Sequence, residues 1–244
     1  MQHFKTMSLI LALGLTFRCL PQAHAQSVLF DFKFGAFYPA DLPGGLFPNL
    51  ALHKTIDRDG VLKWDVGVGA GYYRRGYREL VYVASGLGPS PAADQIAFTR
   101  QMTPLQIKLT MKISLVELNL PNFPGLGAIA RAGMSKTTDL KDIGFLIRPY
   151  AARIKLKSTE ENAVLQQSAE REYENWGWGA EVGIYISTVQ NVTTTISVLY
   201  NRAMVELVQR EIAAPTSVDT IGLPNAREIK LHGYGFMLSM GWGF

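Results

Sequence analysis

The sequence predicts an all-β fold, an eight-stranded antiparallel transmembrane up-and-down β-barrel with long extracellular loops, on three observations. Short segments along the chain alternate bulky apolar residues with small or polar ones, the period of a strand whose two faces meet different surroundings. The final segment alternates without a break, with Tyr234, Phe236, Leu238, Met240, Trp242 and Phe244 on one side and Gly235, Met237, Ser239, Gly241 and Gly243 on the other. No apolar run is long enough for a membrane helix, so a bilayer would be crossed by strands.

The chain opens with a basic Lys5, an apolar run from Met7 to Leu15 and a small-x-small pattern at Ala23-His24-Ala25. This is the form of a secretory signal peptide, which assigns residues 1–25 to a removed leader and residues 26–244 to one barrel domain. Cys19, the only cysteine, lies in the leader. A disulfide framework, a thiolate nucleophile and a cysteine-ligated zinc are therefore excluded from the mature chain. Lys5 and Arg18 also fall in the leader, whereas all 20 acidic residues follow it, so the whole-chain pI near 9.1 overstates the basicity of the mature protein. No Lys/Arg cluster interleaved with aromatics occurs, and nucleic acid is excluded as a partner.

Strand 1 is expected over Val28–Tyr38, with Phe30, Phe32, Phe34, Ala36 and Tyr38 on one face and Asp31, Lys33 and Gly35 on the other. Turn residues Ala40 to Gly45 end it, and a loop rich in Pro, Gly and charge runs to Gly60. Strand 2, Trp64–Tyr73, sets Trp64, Val66, Val68, Ala70 and Tyr72 against Asp65, Gly67, Gly69 and Gly71. Arg74-Arg75-Gly76 reads as a tight turn into strand 3, Tyr77–Ala84, followed by a Gly/Pro/Ser loop. Strand 4 is the most regular, with Leu105, Ile107, Leu109, Met111, Ile113 and Leu115 opposing Gln106, Lys108, Thr110, Lys112 and Ser114.

Strand 5 is placed over Ala128–Lys136 with Arg131, Gly133 and Ser135 inward. The polar segment that follows carries an extra hairpin arm at Phe145–Lys157 and an acidic, partly helical tip at Ser158–Asn175. Strand 6 spans Trp176–Thr188 with Gly177, Gly179, Glu181, Gly183 and Tyr185 inward; strand 7 spans Thr193–Leu207; the last strand ends the chain.

Connections then alternate long and short, the pattern of barrels with surface loops on one side and tight periplasmic turns on the other, which places both termini in the periplasm. Aromatics fall at both predicted interfaces, with Trp64 outside and Tyr72 inside for strand 2. The expected lumen network pairs Asp31, Asp65, Glu79 and Glu181 with Lys33, Lys108, Lys112 and Arg131, because charges taken out of water need partners. Lumen-facing glycines leave room for these long side chains. A soluble sandwich or lipocalin-like barrel would share the alternation with its faces exchanged.

The signal peptide, the amphipathic strands and the terminal GYGFMLSMGWGF resemble the small bacterial outer-membrane barrels of the OmpA, OmpX and OmpW kind. The resemblance implies a Gram-negative-type outer membrane, contact with its lipid and lipopolysaccharide, and a monomer. It also implies insertion by the barrel-assembly machinery, which would read Tyr234, Phe236, Trp242 and Phe244; Ser239 stands where glycine is common in that signal. It implies no single activity.

Other motifs carry little. Gly67-Val68-Gly69-Ala70-Gly71 sits within a strand with no helix after it, unlike a phosphate loop. Asp57-Arg58-Asp59-Gly60 lacks the later ligands of a calcium loop and reads as a turn. His53 and His232 are the only histidines after the leader, and His232 and Ser239 face opposite ways on a regular strand. No catalytic, metal or cofactor site is assigned, and the protein is not read as an enzyme. The expected function is that of a plugged structural or surface-interaction barrel working through its extracellular loops. A conduit for small hydrophobic molecules, as the OmpW likeness implies, is the alternative, and a lipid-modifying enzyme the more distant one.

Overall fold

The computed structural model describes residues 28–57, 60–83, 92–117, 140–162, 167–213 and 227–244. Its strands, numbered in chain order, are β1 (Val28–Pro39), β2 (Gly45–Leu46), β3 (Asn49–Asp57), β4 (Leu62–Gly71), β5 (Tyr73–Val83), β6 (Ala92–Ser114), β7 (Leu140–Asn162), β8 (Gln167–Thr188), β9 (Val192–Arg202), β10 (Met204–Ala213), β11 (Glu228–Lys230) and β12 (Gly233–Gly243). Eight close a ring in the order β1, β3, β4, β6, β7, β8, β9, β12, with β12 pairing back onto β1 from Leu29↔Gly243 to Pro39↔Gly233. Closure leaves the ring without a free edge.

The expected barrel is present, but two of its strands differ from those expected. The segment read as the first loop holds β3, which pairs with both β1 and β4. The arm expected at Phe145–Lys157 is part of β7, a full member of the wall, and the tip read as partly helical is strand at both its ends. Strand 3 corresponds to β5, which lies outside the ring: Tyr73 to Val83 pair with Met102 to Ala92 of β6 and continue the direction of β4. Arg74-Arg75-Gly76 is therefore strand interior rather than a turn. Strand 5, with Arg131, falls outside the described residues, as does the leader.

Because β3 intervenes, strand 2 runs opposite to the expected direction. Trp64 sits at the end of the barrel that holds both termini, and Tyr72 at the far end. The two aromatic girdles are sharper for this correction. Phe30, Trp64, Trp242 and Phe244 ring the terminus end, with Phe30 and Trp242 6.4 Å apart. Tyr38, Tyr234, Tyr200, Trp178 and Trp176 lie toward the far end, where Tyr200 meets Tyr234 at 5.2 Å and Trp178 at 6.1 Å. Between the girdles the outer face is apolar and exposed, including Phe32, Val68, Ile107, Leu109, Ile184, Ile196 and Phe236, while Asp31, Lys33, Asp65, Lys108 and Glu181 are buried within. This is the reverse of a water-soluble barrel and suits hydrocarbon outside.

Beyond the far girdle the pattern inverts without any break in strand parity. On β7, Phe145 and Ile147 face out while Arg148 faces in; farther along, Arg153, Lys155 and Lys157 face out while Ile154 and Leu156 face in. On β8, Glu170, Glu172 and Glu174 share the face of Trp176 and Ile184, opposite Arg171 and Tyr173. A strand that leaves hydrocarbon for water must exchange the chemistry of its two faces. The inversion marks one edge of the bilayer. Above it, among the described residues, β5, β6, β7, β8 and β10 form a wall on one side, because β3, β1 and β12 stop at the rim.

Candidate functional site, the barrel lumen

The lumen is layered. Arg148 of β7 is the hub of its charged layer, reaching Glu181 at 3.1 Å and Asp31 at 3.4 Å and donating from Nε to Thr110 Oγ1 at 2.7 Å. Lys33 lies 3.7 Å from Asp31 and donates to Glu181, which also accepts from Ser197 at 2.7 Å. His53 approaches Asp31 at 3.7 Å. Each carboxylate thus faces more than one donor or cation, the condition under which buried charge persists. Between β6 and β7 the backbone ladder resumes on either side of Pro149, at Lys108↔Tyr150 and Met111↔Ile147. The side-chain bond from Arg148 to Thr110 crosses the wall at that interruption, where proline has no N–H to give.

Toward the terminus end lies a second polar group. Asp142 accepts from Lys63 at 2.5 Å, Ser114 at 2.6 Å and Tyr185 at 2.9 Å, while Lys112 meets Asp65 at 2.8 Å. Lys63, Asp65, Lys112, Asp142 and Tyr185 line a vestibule of about 160 Å³. Lys108 instead turns toward Asn49, donating at 2.8 Å, and Asn49 donates to Gln106 at the same distance.

On the other side of the charged layer the lumen is apolar. Phe37, Tyr73, Met102, Tyr150, Leu199 and Met237 point inward from the wall and pack with Leu42 and Phe47 from the β1–β3 connection. Phe47 is held there by its N–H to Gly35 O at 2.8 Å and by Phe37, 5.7 Å away between ring centres. Tyr73 donates to Pro43 O and ties the same connection down. Glycine matters at Gly179, where an added Cβ would meet Tyr150 Oη at 2.3 Å; its absence lets that ring lie across the lumen. Two spaces among these described residues, one bordering the charged layer and one within the apolar layer, are about 10 Å³ each, near the volume needed to admit one water centre.

Six of the eight lumen residues named from the sequence, Asp31, Lys33, Asp65, Lys108, Lys112 and Glu181, lie inside the ring. Glu79 does not: it is exposed on β5, above the barrel, because that strand extends the wall rather than spanning it. Arg131 is outside the described residues. Sequence reasoning misses Arg148, Asp142 and His53 as members of the lumen. Strict parity through Phe145 and Ile147 is the available signal for Arg148, and the exposed basic residues farther along the strand mask it. Tyr234, Phe236, Trp242 and Phe244 all project from the outer face of the last strand or its end.

No protein-family model and no curated protein matches this chain. Solved structures of similar shape are small outer-membrane barrels. Ail, the attachment invasion locus protein of Yersinia pestis, is 13% identical over 90% of this chain and 97% of that one, with a TM-score of 0.39; that crystal also holds the heparin analogue sucrose octasulfate. Neisserial surface protein A is 10% identical over 89% and 96%, with a TM-score of 0.39. A major outer membrane protein from Thermus thermophilus is 12% identical over 91% and 100%, with a TM-score of 0.46.

Proposed function

We propose that this protein is a closed outer-membrane barrel that serves as a rigid anchor and works through the wall and loops at its far end, with both termini in the periplasm. The observation that carries this reading is the filled lumen, an apolar plug over a cross-linked charge layer. A conduit needs a continuous path, whereas here Tyr150, Phe47 and Leu199 pack together directly above Arg148 and Glu181. The extension of the wall supports the orientation. Long strands rise beyond the far girdle. At the terminus end β3–β4 and β8–β9 are joined by short turns, the latter with Asn191 N–H donating to Thr188 O at 3.1 Å, and only the β6–β7 connection, between Ser114 and Leu140, is long.

The exposed aromatic side of β12 is the surface we assign to the barrel-assembly machinery, and the apolar band is the surface for outer-membrane lipid and lipopolysaccharide. The purified full chain in planar bilayers should give no sustained ion conductance. Reproducible steps from wild-type protein would replace this reading with that of a small-solute conduit.

A further inference from the structure

Cross-strand register on the inner face of the wall above the barrel gathers arginines into one row. Arg75 of β5 pairs with Arg100 of β6, Arg100 with Ser158 of β7, and Ser158 with Arg171 of β8. Directly paired residues share a face, and like charges in such positions repel. The row is graded in exposure: Arg75 is open to solvent, Arg100 is 5% exposed and Arg171 is 0% exposed.

Compensation among the described residues is thin. Glu160, one step farther along β7, lies 3.3 Å from Arg171 and 3.8 Å from Arg100, and so serves two guanidinium groups at once. Ser158 donates to that same carboxylate at 3.2 Å. Nε and Nη1 of both Arg100 and Arg171 meet no acceptor in hydrogen-bonding geometry, while Tyr77 lies against Arg100 and Tyr173 against Arg171. Arg100 also rests 5.0 Å from the ring of Phe98, which is stacked on Tyr77. Buried N–H groups without acceptors cost free energy, and a guanidinium offers a planar fork that matches phosphate and sulfate oxygens.

We propose that this row is a binding site for a soluble anion bearing phosphate or sulfate groups, entered from the Arg75 end. Such an anion brings further oxygens to guanidinium groups that share one carboxylate and offsets the excess positive charge of the row. The row lies on the face opposite the one that continues the lipid-facing band, which favours a soluble anion over a lipid headgroup. The inference rests on the reading of this wall as the working end of the barrel.

Calorimetry of the full-length protein in detergent, titrated with inorganic pyrophosphate, tests it. Wild type should bind saturably, and raising the salt concentration should weaken binding. Arg171→Gln should weaken binding at least tenfold, and so should Arg75→Gln, whose exposed position spares the fold. Glu160→Gln removes the competing carboxylate and should tighten binding. Lys155→Gln, on the opposite face, should leave it unchanged.

Vesicles containing lipopolysaccharide supply the same phosphate chemistry from a lipid source. Competition by pyrophosphate at the row, with no dependence of its affinity on those vesicles, supports the soluble anion. No pyrophosphate binding by protein that keeps its heat-modifiable gel mobility would overturn the proposal, as would equal binding by all four variants. Conductance of the same preparation reports separately on the closed-lumen reading, so failure of one leaves the other measurable.

Discussion

Lys33 on β1 and Glu181 on β8 are hydrogen-bonded across the interior, although β12 and β9 separate their strands around the ring. The bond ties opposite parts of the wall rather than neighbours. Glu181→Gln leaves Lys33 and Arg148 to share Asp31, and the loss of a buried partner of this kind costs about 3–5 kcal/mol. Urea unfolding in lipid vesicles, followed by tryptophan fluorescence, should show that loss. The exposed pair of Lys155 and Glu174 gives the contrast, since Lys155→Ala should cost less than about 1 kcal/mol. Similar effects from the two changes would contradict the cross-lumen role.

Removal of the plug should be visible electrically. Phe47→Ala deletes a ring from the apolar layer and should cost about 3–5 kcal/mol, the usual penalty for emptying a packed aromatic site. Paired with Tyr150→Ala it should also produce brief conductance events absent from wild type. A silent double variant that remains folded would mean that the charge layer alone seals the barrel.

Register on β6 can be tested at adjacent residues. Leu109 faces outward in mid-band, so Leu109→Arg should destabilise insertion by roughly 2–4 kcal/mol in a thickness-dependent manner. Thr110 is fully buried and accepts from Arg148, so Thr110→Arg adds bulk and like charge inside the lumen. Its penalty should be insensitive to lipid thickness. Equal responses of both variants to thicker bilayers would refute the assignment of faces.

Orientation calls for a pair of inserted protease sites. One placed between Asn162 and Gln167 should be cut in intact cells, and one placed in the turn between Thr188 and Val192 should be cut only after the outer membrane is opened. The opposite result would turn the barrel over. Arg74–Gly76, expected from the sequence as a tight turn, is paired strand at the far end and offers no turn to cut.

The transmembrane half of the fold is legible in the sequence because lipid imposes one rule on each strand: apolar out, small or polar in. Strands 1, 4 and 6 and the final strand obey it and lie nearly where the alternation places them. β3 escapes because Asn49, Ala51 and His53 alternate with Leu50, Leu52 and Lys54 too weakly, beside Pro48 and the turn residues before it. β7 is obscured because its outer face changes from Phe145 and Ile147 to Lys155 and Lys157 in mid-strand. A periodicity test that expects one chemistry per face divides such a strand in two. The lumen charges suggest a network but not its hub, since only ring order decides which inward residues meet.

The seam between β1 and β12 also sets when this barrel can exist. Phe30 pairs with Trp242 and Leu29 with Gly243, so β1 waits for β12 before the ring can close. Contacts so distant along the chain form late, after the entropy of closing the loop has been met. Until then β1 presents both an open edge and a row of phenylalanines, a combination prone to aggregation. The ring cannot close before β12 has been made, so β1 carries that open edge and its phenylalanines for as long as the rest of the wall takes to assemble.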